Sequence, residues 1–119
     1  MKETMTLDLA IAIVANAFIG KYDKAGKPYI LHCLAVMNGV KKFNNEELCI
    51  AAVCHDLIED TDFTFDDLIM RGASPRVIKI LKFVTRSPGK SYQEEIDDIC
   101  TDYDAIRVKM SDLEHNSDI

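Results

Sequence analysis

Residues 51–62, AAVCHDLIEDTD, indicate both the fold and the chemistry of this chain. His55 and Glu59 are four residues apart, as are Asp56 and Asp60. On a helix, the two members of each pair lie one above the other, and the two pairs lie side by side on one surface. A single helix is thus predicted to carry metal ligands and catalytic carboxylates together, a combination that favours metal-assisted hydrolysis.

The helix that contains this motif is predicted to begin at Asn44 or Asn45 and to run to about Asp60. Asparagine is a favourable N-cap, and Glu46 and Glu47 follow near the positive end of the helix dipole. The acidic residues at the other end are unfavourable beside the negative end of that dipole. Carboxylates crowded at this position indicate a need for a cation.

Apolar residues recur at spacings of three and four along most of the sequence, and Gly and Pro are scarce. This pattern favours helices over strands and predicts an all-α fold. Thr64 with Asp67, and Ser91 with Glu94, form predicted capping boxes, and Ser74-Pro75 is a typical helix start. Further helices are predicted at 6–19, at 29–43 and from about Asp104 onward.

The length of 119 residues is enough for one compact core, so we expect one domain over residues 1–119. The formal net charge is −6. This argues against the broad basic surface that binding to extended nucleic acid requires, but a small anionic substrate is compatible with it if a metal supplies positive charge locally. The oligomeric state has no signature in the sequence.

The cysteines and the N-terminal segment predict a cytoplasmic protein. None of the cysteines forms a CxxC pair, and they are interpreted as buried thiols in a reducing compartment; they are Cys33, Cys49, Cys54 and Cys100. The apolar run near the N-terminus follows acidic residues and lacks both a basic region and a cleavage site. It is therefore predicted to be neither a signal peptide nor a membrane span.

Four side chains from three predicted helices are candidate metal ligands: His32, His55, Asp56 and Asp112. Helical bundles build metal sites from facing helices, so their separation in sequence is no obstacle. Mixed imidazole and carboxylate ligation suits Mn²⁺, Fe²⁺ or Zn²⁺ better than Ca²⁺, and we choose Mn²⁺ as the predicted cofactor.

Glu59 and Asp60 are the candidate catalytic residues, as general base or positioners of the attacking water. Lys24, Lys109 and Asn116 are candidate substrate-binding residues. Each has a simpler alternative. Glu59 and Asp60 would then be a solvated acidic helix end, and Lys24 a solvated loop lysine. Lys109 would form a salt bridge on a helix face, and Asn116 would be a plain helix-end residue. His115 is interpreted as a surface or cap residue.

The ordered blocks resemble the HD superfamily of metal-dependent phosphohydrolases, and more closely the hydrolase domain of RelA/SpoT alarmone enzymes and their small stand-alone relatives. The matching stretches are GKPYILH at 26–32, AAVCHD with EDT at 51–61, Val84-Thr85, and VKMSDLEHN at 108–116. The resemblance implies that the four candidate ligands hold the metal. It also implies a catalytic role for Glu59 and Asp60 and substrate contact for Asn116.

The implied activity is removal of the 3′-pyrophosphate from guanosine tetra- or pentaphosphate, usually with Mn²⁺. The alarmone hydrolases usually have an Arg that packs on guanine just before the GxPYIxH block, where this chain has Asp23 and Lys24. Two alternatives therefore stay open. They are a phosphomonoesterase acting on another nucleotide, and a non-catalytic HD module that binds a nucleotide or a protein.

The end of the chain, at Asn116-Ser117-Asp118-Ile119, directly follows the last motif without a helix-ending Gly or Pro. The expectation is either a minimal domain or one truncated at its C-terminus, without the segment that normally covers this side of the site.

Overall fold

The computed structural model describes residues 4–116. That part of the chain contains α-helices, one short 3-10 helix and an isolated bridge between Tyr22 and Pro28, and it has no strand. The predicted all-α class is therefore confirmed. The helices are α1 (Leu7–Ala17), α2 (Ile30–Val40), the 3-10 helix (Lys41–Phe43), α3 (Glu46–Val53), α4 (Leu57–Asp60), α5 (Phe65–Met70), α6 (Pro75–Val84), α7 (Tyr92–Ile99) and α8 (Tyr103–Asn116).

Side-chain caps fix where most of these helices begin. Thr6, Asn45 and Ser74 each accept a hydrogen bond from a backbone N–H in the first turn of the helix that follows. Both predicted capping boxes form, one at Thr64 and one at Ser91, with the reciprocal bonds in place. These short-range signals depend only on neighbouring residues, which is why the sequence reveals them.

Helix α3 is the centre of the core. Its residues 48–53 are all buried, and the helix packs against α1, α2, α6 and α8. A helix that is apolar around its whole circumference is stable only when neighbours cover every face. The turn that follows α3 therefore starts from a firmly held backbone.

The predicted continuous helix through His55 and Asp56 is wrong. Helix α3 ends before the motif, residues 54–56 form a turn, and α4 begins at Leu57. In this turn the His55 N–H donates to the carbonyl of Ala52, three residues back, at 3.3 Å. Such three-residue bonds wind the backbone more tightly than an α-helix does. The turn thus places both side chains of the motif out of α-helical register.

Helix α8 lies close to α2 because a glycine faces a small residue at their contact. A Cβ added to Gly39 would come within 2.0 Å of the Ser111 Oγ. The same hydroxyl donates to the carbonyl of Val36 at 2.8 Å. Since α2 carries His32 and α8 carries Asp112, this close packing sets the distance between two candidate ligands.

A buried carboxylate fixes the start of α8 against α6. Asp102 accepts two hydrogen bonds of 2.8 Å from the Arg76 guanidinium. Its Oδ1 also accepts the backbone N–H groups of Asp104 and Ala105, each at 3.0 Å. The arginine and these N–H groups lower the pKa of Asp102, so it stays ionised at neutral pH.

All four cysteines are free thiols. Cys33, Cys49 and Cys54 are buried as predicted, whereas Cys100 is exposed at the end of α7, contrary to its interpretation as buried. Among the described residues, none of the helices has the length and apolar character needed to cross a membrane.

The variant Gly39→Ala is expected to lower the free energy of unfolding by about 1–3 kcal/mol, because the new methyl group meets the Ser111 hydroxyl. Ser111→Ala removes that hydroxyl, so the double variant is expected to recover much of the loss. Urea denaturation of the parent, both single variants and the double variant measures this coupling. A Gly39→Ala protein more stable than the parent, as for an ordinary helical Gly, would contradict the close packing.

Candidate metal centre and active site

Three separate elements bring the four predicted ligands together. His32 comes from α2, His55 and Asp56 from the turn after α3, and Asp112 from α8. Each offers a ligand atom, and these atoms all lie within 4.8 Å of one another. Both imidazole rings are buried and both carboxylates are partly buried. This cluster has the mixed nitrogen and oxygen donors that a divalent transition metal prefers.

The orientation of the His55 ring is set by the end of α3. Its Nδ1 lies 2.8 Å from the carbonyl oxygen of Ala52, which can only accept a hydrogen bond. The ring therefore carries a proton on Nδ1, and in the neutral ring the lone pair is on Nε2. A backbone carbonyl that fixes a ring in this way is a common support for a metal-binding histidine.

The His55 Nε2 atom is buried without a hydrogen-bond partner. Carboxylate oxygens of Asp56 and Asp112 lie 2.9 and 3.2 Å from it, but neither is aligned for a hydrogen bond. When the ring is neutral, its Nε2 lone pair and the two anionic oxygens repel one another, and no attraction holds the three atoms together. A cation at their centre supplies that attraction, so the residues fit a bound divalent metal.

His32 turns its Nε2 toward the same point, 3.1 Å from Asp112 and 3.6 Å from Asp56. Its Nδ1 lies 2.7 Å from the Nδ1 of His115, with the two rings 4.9 Å apart between centroids. His115 is half-buried, so its interpretation as a surface or cap residue is wrong. The signal was its position three residues after Asp112, which places both on one side of a helix.

Two further side chains hold the carboxylates. The Tyr29 hydroxyl donates to Asp56 Oδ2 at 2.5 Å, and its ring stacks on Phe18 with centroids 5.0 Å apart. Asn116 Nδ2 donates to Asp112 Oδ1 at 3.0 Å. Asn116 was predicted to bind substrate, and the structure places it against a candidate ligand. Tyr29 lies within the stretch GKPYILH at 26–32, but the sequence alone predicted no role for it.

Electrostatics in the cluster favour ionised carboxylates and a charged imidazole. Burial raises the pKa of Asp56 and Asp112, but the attraction of the neighbouring histidines outweighs it and lowers both values. Burial lowers the pKa of His55, but the two carboxylates outweigh it and raise the value to about 10. A proton and a metal ion therefore compete for the same imidazole nitrogen.

The predicted catalytic pair lies beside the cluster at the end of α4. Glu59 lines a small cavity of about 80 Å³ together with His55, Asp56 and Asp112, and we call this space the metal cavity. Asp60 lines a neighbouring cleft, and its pKa is raised by burial and by the charge of Asp56. A carboxylate with a raised pKa is a better proton acceptor at neutral pH than an ordinary one.

The predicted substrate-binding lysines differ in their placement. Lys109 lines the metal cavity, whereas Lys24 is exposed and does not. Its neighbour Asp23 accepts the backbone N–H groups of Ala25 and Lys27 at 2.9 and 3.0 Å. The carboxylate that replaces the expected arginine therefore shapes its own loop. Arg86, which sequence reasoning did not single out, is the second cation that lines the metal cavity.

No protein-family model matches the chain. Curated relatives do match. The guanosine-3′,5′-bis(diphosphate) 3′-pyrophosphohydrolase of Haemophilus influenzae is 30% identical over 117 residues, which cover 87% of this chain and 17% of that protein. The bifunctional (p)ppGpp synthase/hydrolase SpoT of Escherichia coli is 28% identical over 120 residues, which cover 90% of this chain and 17% of that protein.

A solved structure of a metazoan ortholog of SpoT, described as hydrolysing ppGpp, has a TM-score of 0.79 to this chain. It is 22% identical in sequence, and the match covers 98% of this chain and 70% of the other. The chain belongs to the HD-type RelA/SpoT hydrolase domains. This HD domain spans less than one fifth of the length of the curated relatives above.

The HD domain is expected to release about one proton for each divalent ion that it binds at neutral pH. Without metal, His55 holds a proton up to about pH 10, and the ion must displace it. The carboxylates contribute none, because their lowered pKa values keep them ionised. Metal affinity is therefore expected to rise about tenfold per pH unit between pH 6 and 8.

Calorimetry of Mn²⁺ binding in buffers with different ionisation enthalpies measures this proton count. The same titration of His55→Gln is the control, because that variant lacks the imidazole whose proton the ion is expected to displace. Binding to the parent without proton release, or with an affinity independent of pH, would contradict the arrangement.

Proposed function

We propose that this HD domain is a metal-dependent phosphohydrolase that removes the 3′-pyrophosphate from guanosine 3′,5′-bis(diphosphate), with Mn²⁺ as the metal. The observation that carries the proposal is the convergence of four ligand atoms beside two further carboxylates. The activities for which these relatives are named support the choice of substrate. Cytoplasmic location and the absence of nucleic-acid partners remain predictions.

His32, His55, Asp56 and Asp112 would hold the divalent ion. When bound, such an ion lowers the pKa of water and neutralises charge on phosphoryl oxygens. Three of the four donors border the metal cavity, so they would leave space for water and substrate beside the ion, as a catalytic rather than a structural site requires. Mn²⁺ suits this donor set, in which no thiolate takes part.

Asp60 is proposed to take the proton of the attacking water, since burial and Asp56 raise its pKa. The water oxygen then bonds to the phosphorus that carries the 3′ oxygen. The bond from that phosphorus to the 3′ oxygen breaks, and the leaving oxygen gains a proton. The products are the nucleoside 5′-diphosphate and pyrophosphate, with one water consumed.

The surrounding residues act by position. Glu59 faces the metal cavity and would orient the water. Tyr29 and Asn116 hold the carboxylates of Asp56 and Asp112 in place through direct hydrogen bonds. Lys109 lines the cavity with a positive charge and would pair with a phosphate group.

The loop before α2 favours a second candidate function. Asp23 uses its carboxylate for backbone hydrogen bonds, where an arginine would pack on guanine in the alarmone hydrolases. A phosphomonoesterase acting on another nucleotide is compatible with this loop. The binding-module alternative is less well supported, because all four candidate ligands are present and converge.

An assay of the Mn²⁺-loaded protein against guanosine tetraphosphate and ordinary nucleotides tests the proposal. Pyrophosphate release from guanosine tetraphosphate is expected, and Asp60→Asn is expected to lower kcat by roughly 10²–10⁴-fold while Mn²⁺ binding is retained. Glu59→Gln is expected to lower kcat as well. Asp66→Asn, an exposed carboxylate that lines neither the metal cavity nor the cleft of Asp60, is the matched control.

Turnover confined to nucleotides without a 3′-diphosphate would favour the phosphomonoesterase. Mn²⁺ binding with no turnover of any phosphate ester would favour the binding module. A fully active Asp60→Asn variant would contradict the role of that carboxylate.

A further inference from the structure

The metal cavity is lined by more anionic than cationic groups. Three carboxylates face it, those of Asp56, Glu59 and Asp112, and its cations are Arg86 and Lys109. A divalent ion offsets only part of that negative charge. A phosphorylated ligand that enters this cavity therefore needs positive protein groups as well.

Arg86 is held at the cavity by its backbone rather than by its side chain. Its N–H donates to the carboxylate of Glu59, which connects the loop after α6 to the end of α4. The following N–H, of Ser87, donates to Glu95 on α7 at 3.3 Å. Glu59 and Glu95 thus fix the backbone at residues 86 and 87 next to the candidate metal ligands.

The Arg86 guanidinium is by contrast available. Its Nε lies 3.7 Å from a Glu95 oxygen, which is too long for a hydrogen bond, and the side chain is 73% exposed. An ion pair at this distance, with its guanidinium largely in solvent, contributes little stability, so moving the guanidinium away costs little. Lys109 is placed similarly, with its Nζ 6.0 Å from the centre of the Tyr92 ring. Both cationic side chains that line the metal cavity, Arg86 and Lys109, therefore make only weak contacts with α7.

We propose that Arg86 is a phosphate-binding residue of the metal site, whose guanidinium exchanges the Glu95 carboxylate for two oxygens of a diphosphate group. The planar guanidinium matches two phosphate oxygens with parallel hydrogen bonds, which a lysine does not reproduce. Glu95 is a positioning residue, because its hydrogen bond to the Ser87 N–H keeps the backbone of Arg86 beside the cavity. The inference deepens the proposed function, on which it rests for the nature of the ligand.

Arg86 also lines a groove of about 1090 Å³ between α5, α6 and α7, and this groove offers a second place for an anion. Lys82 lines the groove but not the metal cavity, and it is exposed. Lys82→Ala therefore removes the same charge from the groove alone, which makes it the matched control for Arg86→Ala.

The test is calorimetric binding of inorganic pyrophosphate to the full chain at a fixed free Mn²⁺ concentration. Arg86→Ala is expected to weaken pyrophosphate binding about tenfold or more, and Arg86→Lys less. Lys82→Ala is expected to bind like the parent. Glu95→Gln, which keeps an acceptor for Ser87 but releases the guanidinium, is expected to bind pyrophosphate at least as tightly as the parent.

Pyrophosphate affinity within twofold of the parent in Arg86→Ala would overturn the proposal. So would an equal loss in Lys82→Ala, which would place the anion in the groove. A loss of Mn²⁺ affinity in Arg86→Ala would overturn it too, because Arg86 would then act on the metal through Glu59. If no nucleotide is hydrolysed but pyrophosphate binding depends on Arg86, the proposed function fails and this inference stands.

Discussion

The candidate metal site depends on one hydrogen bond, from the His55 ring to the carbonyl of Ala52 at the end of α3. The acceptor is the carbonyl that also accepts the His55 backbone N–H in the tight turn, and the ring bond fixes a proton on Nδ1. The opposite nitrogen, Nε2, is then buried and faces two carboxylate oxygens. Continuation of α3 through the motif would bring the backbone N–H of Asp56 to that carbonyl and would put the His55 ring in α-helical register, away from its present position.

The rest of the fold holds the other candidate ligands close to the Nε2 atom of His55. Gly39 lets α8 approach α2 closely, and the Asp102 carboxylate ties the first turn of α8 to Arg76 on α6. Asp112 is thereby held from both ends of its helix, since Asn116 hydrogen-bonds it from the last turn. Rigid support of this kind keeps several anionic groups close together without the cluster opening.

Local signals made part of this structure predictable from sequence. The capping boxes at Thr64 and Ser91 involve residues three positions apart, and the four ligand residues are recognisable by type and by their ordered blocks. The helix break at residues 54–56 was missed because no Gly or Pro marks it. Burial of α3 on every side and the ring of His55 determine it, and both are tertiary effects.

The other missed residues share the same cause. His115 and Tyr29 gain roles only through partners on distant elements, His32 and Asp56. Arg86 reaches the cavity through a backbone bond to Glu59, which sequence spacing does not reveal. The substrate is likewise underdetermined by sequence, because Asp23 departs from the alarmone pattern at the position that would contact the base.

Pulsed electron paramagnetic resonance of the Mn²⁺-loaded protein tests the central claim most directly, with ¹⁵N-labelled histidine to identify the ligands. The account predicts coupling to two imidazole nitrogens, those of His32 and His55, with one coupling lost in His55→Gln and both kept in His115→Gln. Bound Mn²⁺ without nitrogen coupling, or with coupling that His55→Gln leaves unchanged, would contradict it.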